Sequence, residues 1–299
     1  MEAFLSNQLK SIISLLPKSF ADEVTSVCSG RSVEEIRLRS GRPPQIVFSD
    51  GEYMLEELVF TKKDSSDLLE KLCRHSIYAH EDELKQGFIS YDGGIRVGVC
   101  GKAVSDNGKI IRLTDVSSFN IRVANEVIGC SKDTISFIIE KGSPVSTLIV
   151  SRPGGGKTTL LRDIARCLSD GIGADAHKVC IADERCEIAG CIDGVPAYSI
   201  GARTDVFELT PKAESISMFI RTMSPEVIIT DEIGSQKDAE AVKEASGCGV
   251  CIIASAHARS RDELNMRGPI RDLIESGVFK RILLLKRNGS LLRIIPLKV

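Results

Sequence analysis

Ser151-Arg152-Pro153-Gly154-Gly155-Gly156-Lys157-Thr158-Thr159, "SRPGGGKTT", decides how the second half of this chain is read. It follows the apolar run "STLIV" and opens "KTTLLRDIARCLSDG", where Leu160, Leu161, Ile164, Ala165 and Leu168 fall on one helical face. Strand, glycine-rich loop and helix start, in that order, aim backbone N–H groups and the positive end of a helix at one point, where an anion binds. Against the pattern G-x-x-x-x-G-K-[ST] the departure is Ser151, which stands in place of the first glycine. A Cβ there costs on the order of 1 kcal/mol if φ is positive. Gly154, Gly155 and Gly156, which would lie against phosphates, are intact. The stretch is therefore expected to cradle ATP through Pro153, Gly154, Gly155, Gly156, Lys157, Thr158 and Thr159, with Lys157 reaching the β- and γ-phosphates and Thr158 offering its hydroxyl to Mg²⁺.

A cradle that also hydrolyses needs one carboxylate for the metal and another to orient water. "PEVIITDE" supplies an apolar strand ending in Asp231 and Glu232. Side chains alternate along a strand, but past its end the backbone can bend so that Asp231 faces Mg²⁺ and Glu232 the attacking water. Two further strand ends are polar: "KVCIADERCEI" places Asp183, Glu184 and Glu187 after an apolar run, and "GVCIIASAHARS" places His257 after another. In a parallel sheet these ends gather beside the phosphate loop, so His257 could sense the γ-phosphate. His75, His80 and His177 form no metal-ligand spacing.

The 299 residues, 42% of them apolar, suffice for two domains. Residues 1 to about 140 hold short alternating runs broken by turn signals at Asp92-Gly93-Gly94 and Asp106-Asn107-Gly108, which predicts a smaller α+β domain with an antiparallel sheet. In the first helical stretch Leu5, Leu9, Ile12, Ile13 and Leu16 mark a docked face. From residue 141 to 299, short apolar strands alternate with helices, which predicts a mostly parallel α/β sheet, with the boundary at Glu140–Pro144. Lys plus Arg at 39 against Asp plus Glu at 41 gives a net charge of −2, so no global field draws the molecule to nucleic acid or lipid. No apolar run reaches the roughly 18 residues that span a bilayer, and the N-terminus is poor as a signal peptide, so a cytoplasmic location without a transmembrane segment is expected. The ten cysteines are scattered as in a reduced protein. Cys248 and Cys251 have C-x-x-C spacing but no partners to complete a zinc set.

Phosphate loop, acidic strand end, Asp-Glu strand end and histidine strand end, in this order, resemble the secretion superfamily of ATPases that drive type II and type IV secretion. "EEIRLRSGRPPQIVFSDGEY" is similar to that family's N-terminal domain, and "IRTMSPEVIITDEIGSQKDAEA" to its arginine, Pro-Glu-Val strand and glutamate. "GIRVGVCGKAV", "SSFNIRVANEVIG", "IADERCEIAG", "ARTDVF" and "ASAHA" resemble a branch of it that acts in sporulation. The resemblance implies a RecA-like P-loop ATPase domain, a ring hexamer, and docking at the inner face of a membrane channel complex between mother cell and forespore. It also implies a catalytic role for Glu184 and arginines brought to the nucleotide from a neighbour or from the N-terminal domain. These are sought among Arg37, Arg39, Arg96, Arg112, Arg122, Arg203 and Arg221, with Arg203 and Arg221 foremost because they flank the acidic strand ends.

Two other readings stay open. A nucleic-acid motor could use the same core, although there is no Trp, aromatics are 5%, and no basic cluster interleaves with aromatics, so no nucleic-acid partner is expected. A nucleotide-gated scaffold with little turnover is the other, and it leaves Lys157, Thr158, Asp231 and Glu232 with less to do.

Overall fold

The computed structural model describes residues 7–28, 30–31, 33–48, 50–106, 108–123, 126–192, 194–286 and 291–297. Leu5 and Asn107, singled out above, lie outside them. The chain separates into two compact units, the first ending at Asn125 and the second beginning at Glu126.

The first unit starts with α1 (Asn7–Leu15) and α2 (Lys18–Val27), followed by β1 (Val33–Arg39), β2 (Gln45–Phe48) and β3 (Gly51–Met54). Then come α3 (Lys62–Leu72), α4 (Glu81–Lys85), β4 (Phe88–Tyr91), β5 (Ile95–Asp106) and β6 (Lys109–Arg122). The strands form an antiparallel six-stranded sheet in the order β3-β2-β1-β6-β5-β4. One sheet face packs Ile36, Leu38, Val97, Phe119 and Ile121 against Leu9, Ile12, Leu16, Val24, Leu68 and Leu72, so the first helix is docked as its apolar stripe indicates. Period-two alternation sends Arg37 and Arg39 to the other face. The helix α3 stops at Leu72, and beyond it Arg74 and His75 take positive φ of 47° and 60°.

The second unit begins with α5 (Lys132–Ile135) and the short pair β7 (Ile139–Glu140) and β8 (Ser143–Pro144). Next are β9 (Thr147–Ser151), α6 (Lys157–Asp170), β10 (Val179–Asp183), β11 (Thr204–Glu208), α7 (Lys212–Thr222) and β12 (Val227–Thr230). The chain continues through α8 (Gln236–Gly247), β13 (Cys251–His257), α9 (Arg261–Asn265), α10 (Gly268–Glu275), β14 (Arg281–Leu285) and β15 (Leu291–Pro296). Seven strands run in the order β11-β10-β12-β13-β9-β14-β15, all neighbours parallel except the last pair. The central strands are buried from end to end, which a sheet covered on both faces requires. Leu160, Leu161, Ile164 and Leu168 of α6 pack on Ile149, Ile181, Ile229 and Ile253. On the opposite face Phe219 of α7, Val242 of α8 and Leu273 of α10 pack with Leu148, Val150, Ile228 and Ile252.

The division falls before the expected Glu140–Pro144 boundary. Ile135 and Ile138 are buried in the second unit's core. The buried Asp163 carboxylate of α6 accepts bonds from Gly129 N at 3.0 Å, Ser131 N at 2.7 Å and Ser131 Oγ at 2.6 Å. Residues 126–140, expected with the N-terminal domain, thus belong by packing to the second unit. All ten cysteines are free thiols. Among the described residues no helix is long and apolar enough to cross a membrane.

Candidate functional site

Parallel strands deliver their carboxyl ends to one edge of the sheet: β10 and β12 end at Asp183 and Thr230, one residue apart in register, and β13 and β9 end at His257 and Ser151, which pair directly. The loop after β9 holds positive φ at Gly154 (71°) and Gly156 (77°), values that glycine takes without strain. Gly156 then caps α6, so Lys157, Thr158 and Thr159 form its first turn. Ser151 does not have positive φ, so the strain it would otherwise carry does not arise. It remains in β9, opposite His257, and its hydroxyl donates to Arg152 O at 2.8 Å. Gly155 is the tight position: a Cβ there would lie 2.4 Å from Ser151 Oγ, 2.8 Å from Ser151 Cβ and 3.0 Å from Arg152 O.

Lys157 is buried and its ammonium lies 2.8 Å from His257 Nδ1, 3.3 Å from Ser151 Oγ and 3.4 Å from Arg152 O. Burial lowers its pKa to about 8, against the opposing pull of Glu232, Asp231 and Glu187. Burial, with Lys157 alongside, also holds His257 below its ordinary value. A neutral imidazole accepting from Lys157 at Nδ1 carries its proton on Nε2, which faces Glu232 Oε2 at 3.4 Å. Lys157, His257 and Glu232 are therefore linked side to side. Arg185 at 3.7 Å and Arg267 at 3.9 Å also flank the Glu232 carboxylate.

Asp231 is buried, and its Oδ1 is sealed from solvent with no hydrogen bond. The Lys212 ammonium stands 3.0 Å from that oxygen but off its hydrogen-bonding direction, and donates at 2.6 Å to Glu232 O. A buried carboxylate oxygen that accepts no hydrogen bond suits a hard divalent cation, and the Asp231 charge acts on Lys157 in the first turn of α6, so Asp231 with the Thr158 hydroxyl could hold Mg²⁺. The glycine cradle, the α6 N-terminus and Lys157 can hold the phosphates of ATP.

The acidic strand end divides into two roles. Asp183 is fully buried and accepts from the backbone N–H groups of Glu187 (2.9 Å), Ile188 (3.0 Å) and Ala189 (2.8 Å), so it organises its own loop. Glu184 is half-exposed and lies 3.7 Å from Lys212.

The two foremost arginines are not at this edge. Arg203 precedes β11, and its Nη1 donates to Ser169 O at the far end of α6, about 18 Å along the helix from Lys157. Arg221 is exposed in the last turn of α7, about 13 Å along that helix from Lys212, and donates to Ser217 O. Their nearness in sequence to acidic strand ends does not carry over, because strand and helix polarity put them at the opposite edge. Arg37, Arg39, Arg96, Arg112 and Arg122 all belong to the first unit. Sequence reasoning missed Lys212, Arg185 and Arg267. The only signal for Lys212 was its place after Pro211 at a helix start, which does not distinguish a buried cation from a solvated one.

The family described as "Sporulation stage III, protein AA" matches residues 7–296. The chain is 39% identical over 282 residues to "Stage III sporulation protein AA" of Bacillus subtilis (strain 168), covering 93% of this chain and 91% of that one. In fold it is similar to the ATPase DotB of Yersinia pseudotuberculosis, with a TM-score of 0.64 at 13% identity over 95% of this chain and 81% of that one. It is also similar to the pilus retraction motor PilT with bound ADP, with a TM-score of 0.60 at 14% identity over 99% of this chain and 84% of that one. The second unit, with its mostly parallel sheet, thus has the RecA-like P-loop fold that the chain shares with DotB and PilT.

Proposed function

This chain belongs to the sporulation stage III protein AA family, and on that premise we propose that it is the ATP-hydrolysing motor of a secretion-like channel complex, working from the inner face of the membrane on the mother-cell side. The observation that carries the catalytic part is the linked set Lys157–His257–Glu232, with a buried Asp231 oxygen that accepts no hydrogen bond. Lys157 and the loop amides bind and orient the β- and γ-phosphates, and Thr158 with Asp231 holds Mg²⁺. When bound, the ion neutralises charge on the phosphate oxygens. Glu232 orients the attacking water and accepts its proton. His257 joins Lys157 to Glu232, so the group touching the γ-phosphate is linked to the group that activates water. Arg203 and Arg221, remote from the loop of their own chain, act on a neighbour's nucleotide in a ring hexamer.

The test is steady-state turnover. Glu232→Gln is expected to keep ATP binding while turnover falls about 100-fold or more. Lys157→Ala is expected to lose binding. Wild-type turnover in the Glu232 variant would remove that residue from the mechanism.

A further inference from the structure

Lys212 is a buried cation that the phosphate cradle does not explain. It opens α7 directly after Pro211, and it is 4% exposed. A lysine is almost never buried without compensation. Here the compensation is Glu232 O at 2.6 Å, Asp231 Oδ1 at 3.0 Å and Glu184 Oε2 at 3.7 Å. The bond to the carbonyl is directed, whereas Asp231 Oδ1 accepts no hydrogen bond although the ammonium is within reach. Charge alone joins Lys212 to Asp231, so another cation can replace it there without breaking a directed bond.

Resting on the assignment of Asp231 as a metal ligand, we propose that Lys212 is the resident counter-cation of Asp231 and competes with Mg²⁺ for it. Two cations sharing one carboxylate oxygen repel each other, so Lys212 weakens metal binding and makes Asp231 stable without metal. On metal binding the ammonium turns to Glu184, the remaining carboxylate near it, and keeps its bond to Glu232 O. Because Lys212 is the first residue of α7, this exchange ties the start of that helix to the metal content of the site. Lys212 is then a positioning residue and touches no phosphate.

The experiment titrates Mn²⁺ onto the full chain saturated with ADP and reads free Mn²⁺ by electron paramagnetic resonance. Lys212→Met keeps the side-chain length without the charge and is expected to bind Mn²⁺ about tenfold more tightly. Its melting temperature should fall in the absence of divalent ion and recover with Mn²⁺ by more than that of the wild type. Lys212→Arg keeps the charge and should stay close to wild-type affinity. Unchanged or weaker Mn²⁺ binding by Lys212→Met overturns the proposal. Should that variant not fold, Glu184→Gln serves instead: the displaced ammonium then lacks its acceptor, so Mn²⁺ binding should weaken about threefold, and unaltered binding overturns the proposal. Asp231→Asn separates the two levels. If it loses Mn²⁺ while Lys212→Met behaves as wild type, the competition alone fails; if it binds Mn²⁺ like the wild type, the metal-ligand assignment fails first.

Discussion

The buried Lys157 ammonium is a group whose function opposes the stability of the empty protein. Its pKa drops from 10.5 to about 8 through burial, so between those values the unfolded chain binds the extra proton. Stability of the nucleotide-free protein therefore rises with pH across about 8 to 10.5 and carries the full charging penalty below that window. Lys157→Met is expected to raise the melting temperature of the nucleotide-free protein at pH 7 by roughly 2–4 °C, with the gain shrinking by pH 10. A lower melting temperature at pH 7 would contradict the sign. Gly155 offers a second test. A Cβ placed 2.4 Å from Ser151 Oγ must push the loop aside, so Gly155→Ala should weaken ATP binding about tenfold or more in a direct titration. Adding Ser151→Gly should recover part of that loss and not all, because Arg152 O stays 3.0 Å away. The glycine spacing was legible in the sequence. That the Ser151 side chain fills the space facing Gly155 was not, because these residues meet only once the loop closes.

At the scale of elements, the segment after β10 shows how one buried side chain organises a loop. Asp183 collects the N–H groups of Glu187, Ile188 and Ala189, while Arg162 of α6 donates at 2.6 Å to Ile188 O and at 2.7 Å to Glu187 O. The Arg162 guanidinium also stacks on the Tyr198 ring at 3.6 Å. The backbone is thus held from both its donor and acceptor sides. Asp183→Ala leaves three buried N–H groups without an acceptor and should destabilise the protein by about 2–4 kcal/mol in chemical denaturation. Near-wild-type stability would show that the loop has other support. From the sequence, Asp183 and Glu184 are equivalent neighbours. The end of β10 separates them: Asp183 is the last residue of the covered strand and binds its own loop, and Glu184, one residue past it, stays half-exposed beside Lys212. The apolar periodicity of α6 and the runs of β9, β12 and β13 were readable because burial on one face or on both imposes a pattern of its own. The segment 126–140 was not, since its attachment is made by Asp163, which lies farther along the chain on α6.

For the whole molecule, the placement of Arg203 and Arg221 away from the loop has a kinetic consequence under the ring proposal. ATPase activity per chain should rise with protein concentration as assembly proceeds, and full activity in a monomer would end the ring mechanism. Arg203→Ala and Arg221→Ala should lower turnover while leaving the ATP affinity of the isolated chain unchanged. What this sequence determined by itself was the order of its parts: an antiparallel α+β unit, then a parallel unit in which the glycine-rich loop, Asp183-Glu184, Asp231-Glu232 and His257 close four apolar strands in turn. Such features are written locally, in periodicity, glycine spacing and the residues that close apolar runs. Only the tertiary structure decided which charges meet. Lys212 reaches Asp231 and Glu184, His257 joins Lys157 to Glu232, Arg185 and Arg267 flank Glu232, and Arg203 and Arg221 go to the far edge. The physical reason is that a charge finds its partner through the direction in which strands and helices run, and separation along the chain does not encode that direction.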